Sequence, residues 1–240
     1  MKELFYIIYE DKFLAVINKY AGVVVHGGIG VDQLTLCDAI KVQFPGILKN
    51  QSIDCDRIGI VHRLDKDTSG IMIIAKDPKT AENLKKQFKN RKIKKTYLAF
   101  AHGLIRPSED LIYLPVGRKL GNRTKMTTTA GKPAITKYKV IDYFRLNKNE
   151  FSYLKVMPKT GRMHQIRVHL KHKGNPIVGD QKYLKGKYKK VTNQLGINRQ
   201  LLHAYKIIFK HPVSQKIMKF KAPIPQDFKE FKKILVKCSM

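Results

Sequence analysis

The side chains best placed for chemistry lie in Gly59-Ile60-Val61-His62-Arg63-Leu64-Asp65-Lys66-Asp67-Thr68-Ser69-Gly70, which runs at once into Ile71-Met72-Ile73-Ile74-Ala75. Apolar residues on both sides mark a charged loop held between buried, strand-like segments. Asp65 lies two residues from Arg63, one from Lys66 and two from a second carboxylate, Asp67. Nearby cations favour the ionised form of a carboxylate, and apolar flanks keep water from screening them. One of the two acids is therefore available as a nucleophile or base. The same residues also fit an ordinary turn, with Thr68-Ser69-Gly70 supplying capping groups and the charges pairing across it.

Other chemistries fit less well. His62-Arg63-Leu64-Asp65 is near the His-Arg-Asp loop of protein kinases, but Gly27-Gly28-Ile29-Gly30 lacks the spacing of a kinase glycine loop and no Asp-Phe-Gly occurs. The three cysteines, Cys37, Cys55 and Cys238, form no Cys-x-x-Cys pair, and His164 and His169 have no acidic neighbour. Neither a disulfide framework nor a metal site is expected, and nothing calls for a cofactor. A nucleic-acid hydrolase would need a metal-binding acidic cluster or a histidine pair, whereas Asp54, Asp56, Asp65 and Asp67 alternate with Arg and Lys.

Charge narrows the partner. Forty-eight Lys and Arg against 18 Asp and Glu leave +30 over 240 residues, far beyond what solubility needs, and point to a polyanion. The longest apolar runs, such as Ile71 to Ala75, fall short of the roughly 20 residues of a spanning helix, so a membrane is not expected. Met1 to Glu10 has too short an apolar core and too early an acid for a signal peptide, which leaves the cytoplasm as the default. With 43% hydrophobic residues the chain is globular and long enough for one elaborated domain spanning 1–240.

The nine residues His62-Arg63-Leu64-Asp65-Lys66-Asp67-Thr68-Ser69-Gly70 resemble the signature of the RluA-type pseudouridine synthases, which isomerise uridine to pseudouridine in ribosomal and transfer RNA. The resemblance makes Asp65 the catalytic residue, by addition to the base or sugar or by removal of the C2′ proton. Two later stretches extend it. Lys95-Thr96-Tyr97-Leu98-Ala99 resembles a segment whose tyrosine, here Tyr97, stacks on the target base and is implicated in proton transfer. Thr160-Gly161-Arg162-Met163-His164-Gln165-Ile166-Arg167 resembles a second strong motif whose last arginine, here Arg167, pairs with the catalytic Asp.

The resemblance also implies substrate contacts at His62, Arg63, Arg162, His164 and Leu202. Arg63, planar and next to Asp65, is the candidate to fill the space of a flipped base. Arg162 either shapes its turn or touches phosphate, and Leu202 lies beside the pocket. Asn18-Lys19 is followed by Tyr20 where the family usually has Pro. Many relatives that modify large-subunit ribosomal RNA carry an amino-terminal S4-type domain, and this chain is expected to start directly with the catalytic hairpin. The family further implies a monomer. A non-catalytic RNA-binding or ribosome-assembly protein would explain the charge without requiring Asp65, Tyr97 and Arg167 together.

The elements that must carry these residues follow from periodicity. Leu4 to Tyr9 and Phe13 to Ile17 read as a hairpin turned at Glu10-Asp11-Lys12, and Leu34 to Phe44 as a helix stopped by Pro45-Gly46. Lys49 to Asp56 reads as a loop. Asp77-Pro78 opens a helix to about Lys89 whose outer side, continued by Asn90, Arg91 and Lys92, is basic. A strand follows at Ile93 to Ala101, and further strands at Ala134 to Phe144 and Phe151 to Met157. Before the strand at Ala134, Gly117 to Lys125 reads as a mobile basic arm. Met163, Ile166 and Leu170 recur at helical spacing, with His164, Arg167 and Lys171 as a neighbouring cationic stripe. Lys182 to Lys190 reads as a basic loop, and Tyr205 to Lys210 with Lys216 to Lys221 as a closing hairpin before a short helix from Asp227. The fold class expected is α+β, a mixed, mainly antiparallel sheet flanked by helices, with the active-site cleft along it.

Overall fold

Apolar runs bounded by turn residues account for most of the strands. The computed structural model describes residues 3–27, 33–49 and 59–238. In chain order its elements begin with β1 (Phe5–Glu10), β2 (Leu14–Lys19), α1 (Leu36–Gln43), β3 (Ser69–Ala75) and α2 (Pro78–Lys89). They continue with β4 (Lys94–His102), β5 (Glu109–Lys119), β6 (Asn122–Leu146), β7 (Asn149–Pro158), α3 (Gln165–His172) and α4 (Gly186–Gln194). The last are β8 (Leu202–Lys210), β9 (Ile217–Lys221), α5 (Gln226–Lys233) and β10 (Val236–Lys237). The class is α+β: a mixed, mainly antiparallel sheet with five helices among the described residues.

The chain forms two compact units. One comprises the residues up to Lys94 together with Ala204–Pro223; the other comprises Lys95–His203 and the residues from Ile224 onward. In the first unit β1, β2, β3 and β8 lie in that order, with β9 paired to β8. Every residue of β2 and β3 is buried, as their almost uninterrupted apolar sequences require of strands covered on both faces. Helix α2 starts at Asp77, whose Oδ1 accepts the Thr80 N–H at 2.8 Å, with Pro78 in the first turn. Its Ala81 and Leu84 join Val16, Ile71, Ile73 and Ile207 in one apolar core. Helix α1 is closed by a capping box between Thr35 and Asp38.

In the second unit the order is β4, β7, β6, β10, with β5 on β6. Ala99, Tyr138, Leu154 and Val156 of the sheet pack with Ile166 and Leu170 of α3.

Three sequence expectations are corrected. Gly117 to Lys125 is not a loose arm: β5 and β6 pair from Glu109 with Lys139 to Lys119 with Asn122. Glycines that read as breaks permit close approach instead, for a Cβ on Gly131 (φ +126°) would meet the Val116 carbonyl carbon at 2.3 Å. Lys182 to Lys190 is not all loop, because α4 begins at Gly186 and is held by Tyr188 stacked on His102 (4.7 Å) and by buried Thr192. Met163 lies outside α3 and is 38% exposed, and Arg167 faces inward rather than forming a cationic stripe. At Phe44 the chain leaves α1 and makes a short 3-10 turn, Pro45–Lys49. The loop expected over Lys49 to Asp56 lies, beyond Lys49, outside the described residues, as do Gly28, Ile29, Gly30 and Cys55.

Candidate functional site

In the first unit the loop bearing Asp65 is built from its neighbours inward. Ile60 bridges to Ile74. The Ile73 N–H donates to His62 Nε2 at 2.9 Å and the His62 ring lies 4.6 Å from that of Phe88, so His62 docks the loop on β3 and α2. Leu64 is buried. The Thr68 N–H then donates to the Asp65 carbonyl at 3.1 Å, which makes 65–68 a tight turn with Asp65 half-buried at its head. Gly70, at φ +118°, passes so close to Ala204 that a Cβ would meet its carbonyl oxygen at 2.3 Å. Arg63 is exposed, its Nη1 3.0 Å from His26 Nε2.

A residue without an assigned role in the sequence reading fixes this turn from behind. Lys19 ends β2 with no exposed surface, and its ammonium donates to the carbonyls of Tyr20 (2.8 Å), Val23 (2.9 Å) and Lys66 (2.9 Å). The Gly22 N–H also donates to the Lys66 carbonyl at 3.0 Å. Two segments far apart in sequence are thereby tied to one buried charge. The sequence signal was a lysine closing a mainly apolar strand.

In the second unit Gln165 organises the turn that opens α3. Its Oε1 accepts from Thr160 Oγ1 (2.7 Å) and the Arg162 N–H (3.0 Å), while its Nε2 donates to the Ile135 carbonyl and Thr136 Oγ1. The backbone turn is locked and the Arg162 side chain is left exposed. His164, in the left-handed region at φ 54°, has its Nδ1 2.7 Å from the Tyr183 hydroxyl. That hydroxyl accepts the Met126 N–H at 2.8 Å, which frees its hydrogen for His164. Arg167, 6% exposed, donates from Nε and Nη2 to the two oxygens of Asp180 at 2.8 Å each, and its guanidinium lies 5.1 Å from the Tyr183 ring centre. A bidentate buried pair of this kind fixes the plane of the guanidinium.

Tyr97, half-buried on β4, and buried Leu202 share the core with Ile166 and Leu170. Lys95, two residues before Tyr97 and so on the same strand face, approaches the Thr160 carbonyl at 3.5 Å. Burial pulls its ammonium down to a pKa of about 8. The structure thus brings His62 and Arg63 onto the Asp65 loop, and His164 and Arg167 onto one network centred on Tyr183. Arg162, Tyr97 and Leu202 belong to the same unit as that network. No group of three His, Cys, Asp or Glu among the described residues converges as a metal site would require, and none of their helices is long and apolar enough to cross a membrane.

Comparison with known proteins follows the same residues. The sequence model of a family described as RNA pseudouridylate synthase matches residues 13–172. A ribosomal large subunit pseudouridine synthase D of Blochmanniella floridana is 42% identical over 242 residues, covering 96% of this chain and 73% of that protein. Its counterpart of the same name in Neisseria meningitidis serogroup A is 38% identical over 92% of this chain, which spans only 58% of that relative's length. Among solved structures, human RNA pseudouridylate synthase domain containing 1 superposes with a TM-score of 0.76 at 25% identity, covering 98% of this chain and 89% of that one.

Proposed function

We propose, from the premise that the chain belongs to the RNA pseudouridylate synthase family and is an RNA pseudouridine synthase, that its substrate is large-subunit ribosomal RNA and that Asp65 carries the committed step. The observation that carries the role of Asp65 is its place at the head of a turn held on one side by His62 and on the other by Lys19. A carboxylate on so constrained a turn is preorganised for one trajectory. The ribosomal substrate is supported by the names of the relatives and by the charge of +30.

Isomerisation breaks the bond from ribose C1′ to uracil N1, rotates the base and joins C5 to C1′, and the hydrogen leaving C5 is balanced by one gained at N1. No atoms or electrons are exchanged overall. The demand is to hold a detached uracil, for which Tyr97 supplies an aromatic face. Arg167 supplies a fixed cation to the reaction, and Arg63 fills the stack left by the flipped base, whose extrusion costs a few kcal/mol. Arg162 and His164 contact the RNA beside it. The chain serves this reaction as one catalytic domain, as a monomer, in the cytoplasm.

The test of substrate is to incubate the protein with large-subunit ribosomal RNA and with bulk transfer RNA, both lacking the modification, and to map pseudouridine in each. Formation in ribosomal RNA alone is the expected result; formation in transfer RNA alone would overturn the assignment. Arg167→Lys keeps the charge but not the paired geometry, and is expected to lower kcat on the responsive RNA at least tenfold, on the order of what a lost charged hydrogen-bond pair costs.

A further inference from the structure

A groove of about 430 Å³ opens on the first unit between α2 and the β8–β9 hairpin, and none of its lining residues belongs to the 59–70 loop. Gln87 sets its shape. Its Nε2 donates to the Lys210 carbonyl at 2.7 Å and its Oε1 accepts the Lys210 N–H at 3.1 Å, clamping the helix to the end of β8. Around the clamp stand Lys86, Lys92, Lys94 and Lys210, all exposed. Lys86 is met by Glu82 at 2.8 Å, but no acidic side chain lines the groove itself among the described residues.

Beneath the cations the groove also offers apolar surface. Its floor is Ile208, and Ile217, 67% exposed, forms an apolar lip, with Asn90 and Gln215 at the rim. Phosphate alone would need only the lysines. An apolar floor rimmed by amides offers a face for a base and hydrogen-bonding groups for its edge, which only an unpaired nucleotide can present. The volume suits one nucleotide, and the sign of the charge suits its backbone.

We propose that this groove holds an unpaired nucleotide of the substrate RNA other than the isomerised uridine, its phosphates on the lysines and its base on Ile208 and Ile217. The inference rests on the RNA substrate assigned above. It gives the chain a second, sequence-tolerant grip on single-stranded RNA flanking the target.

The test is equilibrium binding by the full chain of a single-stranded RNA of about 12 nucleotides, of a duplex of equal length, and of uridine monophosphate. Wild type is compared with Lys92→Glu/Lys210→Glu, with Ile217→Ala, and with Lys229→Glu/Lys233→Glu, exposed lysines of the other unit, each checked for an unchanged melting temperature. The groove double variant is expected to raise Kd for the single strand about tenfold and to reduce the slope of log K against log salt by about 0.7 per lysine. Ile217→Ala should weaken single-strand binding with the slope intact, and the duplex should respond much less to either. Equal weakening by the Lys229/Lys233 variant would reduce the effect to net charge and overturn the proposal. So would an unchanged slope in the groove variant, or loss of uridine monophosphate binding with the single strand unaffected. Binding is read without turnover, so failure of wild type to isomerise ribosomal RNA would sink the substrate assignment, while an intact slope would sink the groove alone.

Discussion

Lys19 ties three carbonyls to one buried ammonium, and two of those carbonyls, of Val23 and Lys66, belong to segments otherwise joined by the Gly22 N–H on the Lys66 carbonyl. Removing it leaves buried acceptors without their donor, so Lys19→Met is expected to cost about 2–4 kcal/mol in urea unfolding. Because Lys66 adjoins Asp65, kcat should also fall at least tenfold, on the order expected when a reacting group is misplaced by less than 1 Å; an unchanged kcat would show that the pin does not position Asp65. Gly70 is constrained differently. Gly70→Ala meets both a positive φ and the Ala204 carbonyl, and is expected to destabilise by more than about 3 kcal/mol, read as a lowered melting temperature. The local pattern of carboxylates among cations between apolar runs pointed to Asp65 or Asp67, and the resemblance of the nine-residue motif chose Asp65. Lys19 was left without a role, since the partners that explain that lysine lie up to 47 residues away.

Elements were legible where periodicity and caps agree. Asp77-Pro78 predicts α2 and the structure starts it there, so Asp77→Ala should cost about 1 kcal/mol in the urea midpoint through loss of the cap. Long-range pairing was less legible. The turn residues of Gly117 to Lys125 hide the hairpin of β5 and β6, because what sets it is the register between strands, with Gly117 opposite the close approach of Gly131. Arg167 shows the same limit on α3: helical spacing places it in a stripe with His164 and Lys171, but Asp180, beyond the helix, draws it inward. Tyr183 joins that pair to β6 and to His164. Tyr183→Phe keeps the ring and removes the hydroxyl, and is expected to lower stability by about 1–3 kcal/mol with the Met126 amide left unpaired.

Across the whole molecule, charge and pH act through groups outside the Asp65 loop. Burial lowers both His102 and His169 from 6.5 to about 4. Between those values the unfolded chain binds protons that the folded chain does not. Stability is therefore complete above pH 6.5 and falls as pH drops towards 4, by on the order of 3–6 kcal/mol for the two together; urea midpoints measured from pH 7 to 4 check this, and a flat profile would contradict it. The net charge of +30 makes RNA affinity fall steeply with salt whichever RNA is bound, so charge alone cannot separate an isomerase from a passive RNA binder. Chemistry at C5 separates them. The most direct measurement is release of tritium from large-subunit ribosomal RNA labelled at C5 of uridine, by wild type beside Asp65→Ala. The role of Asp65 predicts release by wild type and a loss of at least about 10³-fold in the variant, with RNA binding retained. Equal release by both proteins would remove Asp65 from the reaction and contradict it.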